Sequence, residues 1–353
     1  MGSVAAMFSD DVATTFARVP GWCNTATVGL PPRAAVSALR ACLDDWEAGS
    51  LDTVGFDVDV RGARSAFAGL VGTTTDRVAM PGAASITAGL VASSLPDGAR
   101  VLCAHGDFTS VLYPFLADDR LEVEFVPLDG LVEAIHRDID LVAVSLVQSA
   151  DGHVLDQASL ATAAHDAGAR TFVDLTQAGG WLPIEADRFD VTACAAYKWL
   201  CSPRGIGFMT VREDVDWLVP RLAGWYASDS PWTSCYGEPL QLAPDARRFT
   251  VSPAWFDVRA TAVALGGIAE LGIDSIHEHD VALANRFLAA LDRPPSDSAI
   301  VAVATDDHAA DALASHGIAT ASRAGRTRLS FHAYSTDEDV DRAAEVLRPH
   351  LLD

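Results

Sequence analysis

Cys194-Ala195-Ala196-Tyr197-Lys198-Trp199-Leu200-Cys201-Ser202-Pro203-Arg204-Gly205 is the stretch whose reading decides the fold. It sets a lysine between a small apolar run and the bulky Trp199 and Leu200, although lysine is rarely buried without a partner. Upstream, Thr171-Phe172-Val173-Asp174-Leu175-Thr176-Gln177 reads as a strand that ends in an acid. Taken singly, a lysine is usually a surface charge and an acid after a strand usually a turn residue. The order, acid at one strand end and amine after the next strand, singles the two out.

Working outward, strands and helices alternate. Residues 100–104, 121–126, 141–147, 171–174 and 191–195 read as strands, most of them nearly continuous apolar runs. Helical patterns fall between them, over 109 onward, 128–136 and 160–167, the last stopped by Gly168. Such runs point to an α/β chain with a mostly parallel sheet covered on both faces. Residues 206–211 follow after a short turn and predict an antiparallel neighbour. Ligands of such sheets sit beyond the carboxyl ends of the strands, where Phe108, Gln148, Ser149, Asp174 and Gln177 all fall. Toward the N-terminus, 33–49 and 58–71 read as helices. Ala83, Ala84 and Ser85 then lead from a short strand into a helix start, a cradle in which free N–H groups can meet an anion. Toward the C-terminus, 220–253 is an irregular stretch rich in Trp, Tyr and Pro. Helices over 254–271 and 275–291, a strand at 300–303, a helix at 308–316, a strand at 326–332 and a closing helix at 336–347 make up a small α+β tail.

With 353 residues, half of them hydrophobic, the chain can bury a large core. A net charge of −23 argues against nucleic acid and anionic membrane surfaces as partners. It also means that an anionic substrate must be met by locally placed arginines. The six cysteines form no C-x-x-C pair and no dense framework, which favours reduced thiols. The N-terminal twenty residues lack the apolar core of a signal peptide, and no uncharged apolar run reaches the length of a membrane span. A cytoplasmic protein is expected. His277-Glu278-His279-Asp280 has the composition of a metal site, but residues two apart on a helix point to different faces, so no metal is expected.

An amine after one strand and an acid at the end of another are the parts that hold a pyridoxal ring: the lysine bonds the aldehyde and the acid keeps the pyridine nitrogen protonated. From about Asn24 onward the chain resembles the class V aminotransferase group of fold-type I pyridoxal-phosphate enzymes, which includes cysteine desulfurases, kynureninases, epimerases and C–S lyases. The most specific pieces are Val173-Asp174-Leu175-Thr176-Gln177, Tyr197-Lys198 and Pro203-Arg204-Gly205-Ile206-Gly207. The resemblance implies a large domain, 21–255, built on a mostly parallel seven-stranded sheet, and a small domain from 1–20 and 256–353. It implies pyridoxal 5'-phosphate as cofactor, carried by Lys198, with Asp174 on the pyridinium nitrogen and Gln177 on the phenolic oxygen. Phe108 would stack on the ring face. Ala83, Ala84, Ser85 and Tyr197 would hold the phosphate, and Ser252 would reach it from a second subunit, so a homodimer with a shared site is implied. Arg328, in Arg328-Leu-Ser-Phe-His332, would grip the substrate α-carboxylate, a contact that suits a planar guanidinium. Asn24, in the loop 22–29, is placed beside it as a second substrate contact.

The departures carry expectations too. Ala195 stands where desulfurases have a phosphate-binding serine. The loop Ile318 to Arg326 holds no cysteine, and none follows Cys235. A thiolate must reach the substrate sulfur to accept it, so the chain is expected not to be a persulfide-forming cysteine desulfurase. The expected activity is that of an aminotransferase or C–S/β-lyase on an amino acid or related amine. Epimerase, kynureninase-like hydrolase and a catalytically silent cofactor-binding homologue are the alternatives. Trp225, Tyr226 and Trp232 suit a substrate entrance and a subunit interface equally.

Overall fold

The computed structural model describes residues 2–352, with the side chains of 2–7 and of Ser9 left aside. Met1 and Asp353, the outer ends of the expected small-domain segments, lie outside the described residues. Seven strands form the main sheet: β1 (Val78–Ala79), β2 (Arg100–Ala104), β3 (Glu122–Val126), β4 (Leu141–Ser145), β5 (Arg170–Asp174), β6 (Val191–Ala195) and β7 (Gly207–Val211). Their spatial order is β1-β7-β6-β5-β4-β2-β3. The five strands from β2 to β6 are parallel, and β7 and β1 pair antiparallel at one side. The expected antiparallel return at 206–211 is β7.

Alternate residues of each strand feed opposite faces, as the pleat requires. Val142 and Val144 join one apolar core, while Leu141 and Ala143 join the other. Helices α1 (Gly2–Thr15), α2 (Arg33–Glu47), α3 (Phe56–Leu70), α4 (Ala84–Ser94), α5 (Thr109–Leu116) and α6 (Gln157–Ala167) precede or interleave the strands. Asp156 caps α6 through the Ser159 N–H, and Gly168 ends it in the left-handed conformation, which glycine adopts without penalty. A second sheet, β8 (Ile300–Val303), β9 (Ala321–Arg323) and β10 (Arg326–Ser330), is antiparallel in the order β8-β10-β9. Helices α8 (Ile273–Ala290), α9 (Ala309–Ser315) and α10 (Asp337–Leu347) share a third apolar core with it. Helix α7 (Trp255–Leu271) packs on α2 and α3.

One expected element differs. Residues 128–136 form no α-helix. A single 3-10 turn, Leu128–Gly130, is followed by further turns. The segment follows Pro127 and carries Gly130, a poor helix former, and its bonds are mixed, Ala134 N–H reaching both Gly130 and Leu131. Of its residues only Leu131 is fully buried, so packing gives no reason to complete a helix. Among the described residues no helix is long and apolar enough to cross a membrane.

Candidate active site

Beyond the carboxyl ends of β2, β4, β5 and β6 lies a cavity of about 230 Å³. Its walls include Gly82, Ala83, Ala84 and Ser85, then Phe108 after β2, Ser149 after β4, and Asp174 and Gln177 at the end of β5. Tyr197, Lys198 and Arg204 follow β6. Of the expected residues, this brings together Lys198, Asp174, Gln177, Phe108, Tyr197 and the 83–85 turn. Ala195 lines the wall as well, so no hydroxyl stands there.

Lys198 is 5% exposed. Burial, opposed by the Asp174 carboxylate and reinforced by Arg328, lowers its pKa to about 8. It is also the only lysine in the chain. That count is a sequence signal which motif reading overlooked: every other basic side chain of the acidic surface is guanidinium or imidazole. The Nζ atom stands 5.3 Å from the centroid of the Phe108 ring. Phe108 is 43% exposed, and its backbone is fixed by buried Asp107, which accepts from Phe108 N at 2.6 Å and from Ser145 N at 2.7 Å.

Asp174 is fully buried, and burial raises its pKa against the opposing Thr176 hydrogen bonds and the Lys198 charge. Thr176 N–H donates to one of its oxygens at 2.9 Å. Gln177 is more committed than the sequence suggests. Its amide nitrogen donates to Ala26 O at 3.0 Å and Ser149 Oγ at 3.1 Å, and its oxygen accepts from Trp199 Nε1 at 2.8 Å. A contact from this amide to a ring hydroxyl therefore requires Ser149 to release a hydrogen.

Arg328, on β10, and Asn24 do not line the cavity; Arg328 reaches its wall through Ser149. Its Nη1 donates to Ser149 O at 2.5 Å and Ser149 Oγ at 3.1 Å, and its Nη2 to Thr27 Oγ1 at 2.9 Å. Burial, with Arg323 adding its charge, pulls its pKa down to about 10. Its Nε is buried without a hydrogen-bond partner, as is Oδ1 of Asn24, whose Nδ2 donates to Thr320 O at 3.2 Å. Buried polar groups are normally paired, so Arg328 Nε as donor and Asn24 Oδ1 as acceptor have capacity for a ligand's contacts. Ser252 does not line the cavity; its hydroxyl accepts from Trp225 Nε1 at 3.1 Å.

Two residues that the sequence placed near the site, but gave no role, take part in it. Ser149 links Gln177 to Arg328 through one hydroxyl. Arg204 lines the cavity with its guanidinium carbon 5.1 Å from the Tyr197 ring centroid, and among the described residues it has no ion-pair partner. Its place in the Pro203–Gly207 run, six residues after Lys198, was the available signal.

The residues fit a phosphorylated aromatic aldehyde. Ala83, the N-cap of α4, has no capping side chain, so the helix start keeps free N–H groups for an anion. The turn is drawn close to β7, since a Cβ on Gly207 would lie 2.9 Å from Ala83 N. Phe108 and Lys198 flank the space for a ring. Among the described residues no cluster of three His, Cys, Asp or Glu could hold a metal ion.

A family model described as Aminotransferase class-V matches residues 118–322. The uncharacterized aminotransferase YcbU of Bacillus subtilis (strain 168) is 31% identical over 230 residues, 62% of this chain and 60% of that one. The chain thus spans about three fifths of that relative's length. A cysteine desulfurase of Enterobacter sp. (strain 638) is 26% identical over 287 residues, 72% of this chain and 68% of that one. Among solved structures, apo cysteine desulfurase from Thermococcus onnurineus NA1 overlays with a TM-score of 0.82 at 20% identity, covering 96% of this chain and 97% of that chain. The cystine C–S lyase C-DES, in complex with its product cysteine persulfide, overlays with a TM-score of 0.83 at 18% identity, covering 94% and 98%. These findings correct the expectation that set the chain apart from cysteine desulfurases, which are among the proteins it most resembles. That exclusion rested on one loop residue, and a single thiol position does not separate chains that share a whole fold.

Proposed function

The chain belongs to the class-V aminotransferase family, and from that premise we propose that it cleaves the bond between β-carbon and sulfur in a small α-amino acid. Pyridoxal 5'-phosphate is its cofactor. The observation that carries the reading is the convergence of one buried amine, Lys198, with buried Asp174 at a single cavity, whose wall residue Ser149 is bonded from behind by Arg328. The desulfurase and C–S lyase relatives support the sulfur-bearing substrate. Amino transfer is the second reading, and the 31% identity to an aminotransferase favours it.

When bound, the cofactor supplies an electron sink for the substrate α-carbon. Lys198 would hold its aldehyde carbon, and its amine would move the proton at the substrate Cα. A pKa of about 8 leaves a useful fraction of that amine neutral near pH 7. Asp174 would keep the pyridine nitrogen protonated. Phe108 would cover one ring face, and the start of α4 with Tyr197 would receive the phosphate. Arg328 would orient the α-carboxylate, its unpartnered Nε offering a further donor, while Asn24 Oδ1, an acceptor, suits an N–H of the substrate. We extend the proposal to a homodimer in which Ser252 serves the partner's site. We also propose a division into 21–255 and a smaller unit of 1–20 and 256–353, bridged by α7. All six cysteines are unpaired, which supports a reducing cytoplasmic setting.

The purified protein should show the near-violet band of a lysine-bound cofactor, lost in Lys198→Ala. Cysteine should then yield sulfide, pyruvate and ammonia, and cystine should yield cysteine persulfide, pyruvate and ammonia; alanine would form only if a thiol accepts the sulfur. Amino transfer to a keto acid without sulfur release would favour the second reading, and no product from any amino acid would overturn both.

A further inference from the structure

Behind Lys198 lies a buried polar chain that the chemistry above does not use. His332 is fully buried. Its Nδ1 meets Asp280 Oδ2 at 2.8 Å and its Nε2 meets Trp199 O at 3.0 Å. Both partners are acceptors, so the ring presents an N–H to each when it is protonated. Burial opposes that charge, but the Asp280 carboxylate outweighs it and the pKa rises to about 10. The titratable groups facing the ring are Asp280 from α8, Cys201 from the lysine turn and Tyr334 from its own segment. His279 holds the other Asp280 oxygen at 2.9 Å.

Trp199 is the residue after Lys198. The same turn is held on its other side by Gly29, whose N–H donates to Tyr197 O at 3.0 Å. Gly29 has no room for a side chain, since a Cβ there would lie 2.0 Å from Lys198 O. The turn is therefore gripped from both sides by residues remote in sequence. His332 also stands four residues beyond Arg328 on one segment. That segment links Arg328 covalently to the ring that bonds the Trp199 carbonyl.

We propose that Asp280 and His332 form a positioning pair that fixes the Lys198 turn and couples it to carboxylate capture at Arg328. The coupling rests on the reading of Lys198 as the cofactor-bearing amine, whereas the positioning does not. Because Lys198 is the only lysine, its ionisation can be followed in the cofactor-free protein. The measurement is the pH dependence of its reaction with an acylating reagent, located by mass. In the loaded protein the absorbance titration is read with and without propionate.

His332→Phe removes both hydrogen bonds, and His332→Gln keeps one N–H for the Trp199 carbonyl. In His332→Phe the Lys198 midpoint moves away from its wild-type value, the propionate-induced shift disappears, and kcat falls about tenfold while KM changes less than about twofold. His332→Gln restores most of each, and Asp280→Asn falls between. A folded His332→Phe with the wild-type midpoint and propionate response overturns the proposal. If that variant does not fold, a wild-type labelling midpoint and propionate response in Asp280→Asn overturns it equally. A wild-type protein without the near-violet band defeats the cofactor reading and the coupling, while the labelling arm still decides the positioning.

Discussion

Lys198 carries its consequence in its pKa. At about 8, roughly a tenth of the amine is neutral at pH 7, against about three in ten thousand for an ordinary lysine. A lowered pKa favours the neutral form, so cofactor capture by the empty protein should quicken about tenfold per pH unit up to 8 and level off above it. Stopped-flow absorbance after mixing with pyridoxal phosphate measures this. Arg328 makes the second case. Arg328→Lys keeps the charge but not the fork, and kcat/KM should fall by roughly a hundredfold. At this scale the sequence was readable where an acid and an amine stood in a recognisable order. It was opaque where significance came from company: Ser149 matters because Gln177 and Arg328 meet on its hydroxyl, and neither neighbour is near it in the chain.

Helix α10 shows how local chemistry fixes an element. Thr336 accepts from Asp339 N–H while Asp339 accepts from Thr336 N–H, a complete capping box. Thr336→Ala should lower stability by about 1 kcal/mol in urea unfolding. Asp339 does more, since its carboxylate also accepts from Gly21 N at 2.6 Å and pairs with Arg18 at 3.0 Å. Burial works against its charge, but these bonds outweigh it and its pKa lies below the usual carboxylate range. The stability it contributes is therefore present above about pH 4 and is lost as acid protonates it. Asp339→Asn should flatten that part of the acid unfolding profile. Strands and capped helices were legible because their signals are local. The failure at 128–136 is instructive, because an apolar spacing that could serve a helix is spent on turns when only Leu131 is buried.

The whole molecule is an acidic body with a cationic hollow. Arg204, Arg323 and Arg328 surround or approach the single lysine, while the net charge is −23. Pyridoxal phosphate, an anion, is repelled at long range and held at short range. Added salt should thus raise its capture rate until local pairing is screened in turn. Trp46, Val54 and Val58 are left 56–64% exposed on α2, α3 and the link between them. If this face joins two copies, light scattering gives twice the chain mass, and Trp46→Glu yields a monomer that loses cofactor together with the contact expected from Ser252. The mostly parallel sheet and its carboxyl edge followed from the apolar pattern. The docking of the tail did not, because β10, besides pairing with β8 and β9, is tied by long-range bonds to Cys23, Ala26 and Ser149.

Trp181 and Trp199 lie buried with ring centroids 5.6 Å apart, and Trp199 adjoins the lysine in sequence. Indole emission overlaps the near-violet absorption of a chromophore seated on that amine, so the two rings form a built-in optical gauge. Their fluorescence should dim as the protein is charged with cofactor and brighten as it is stripped, without any dye attached.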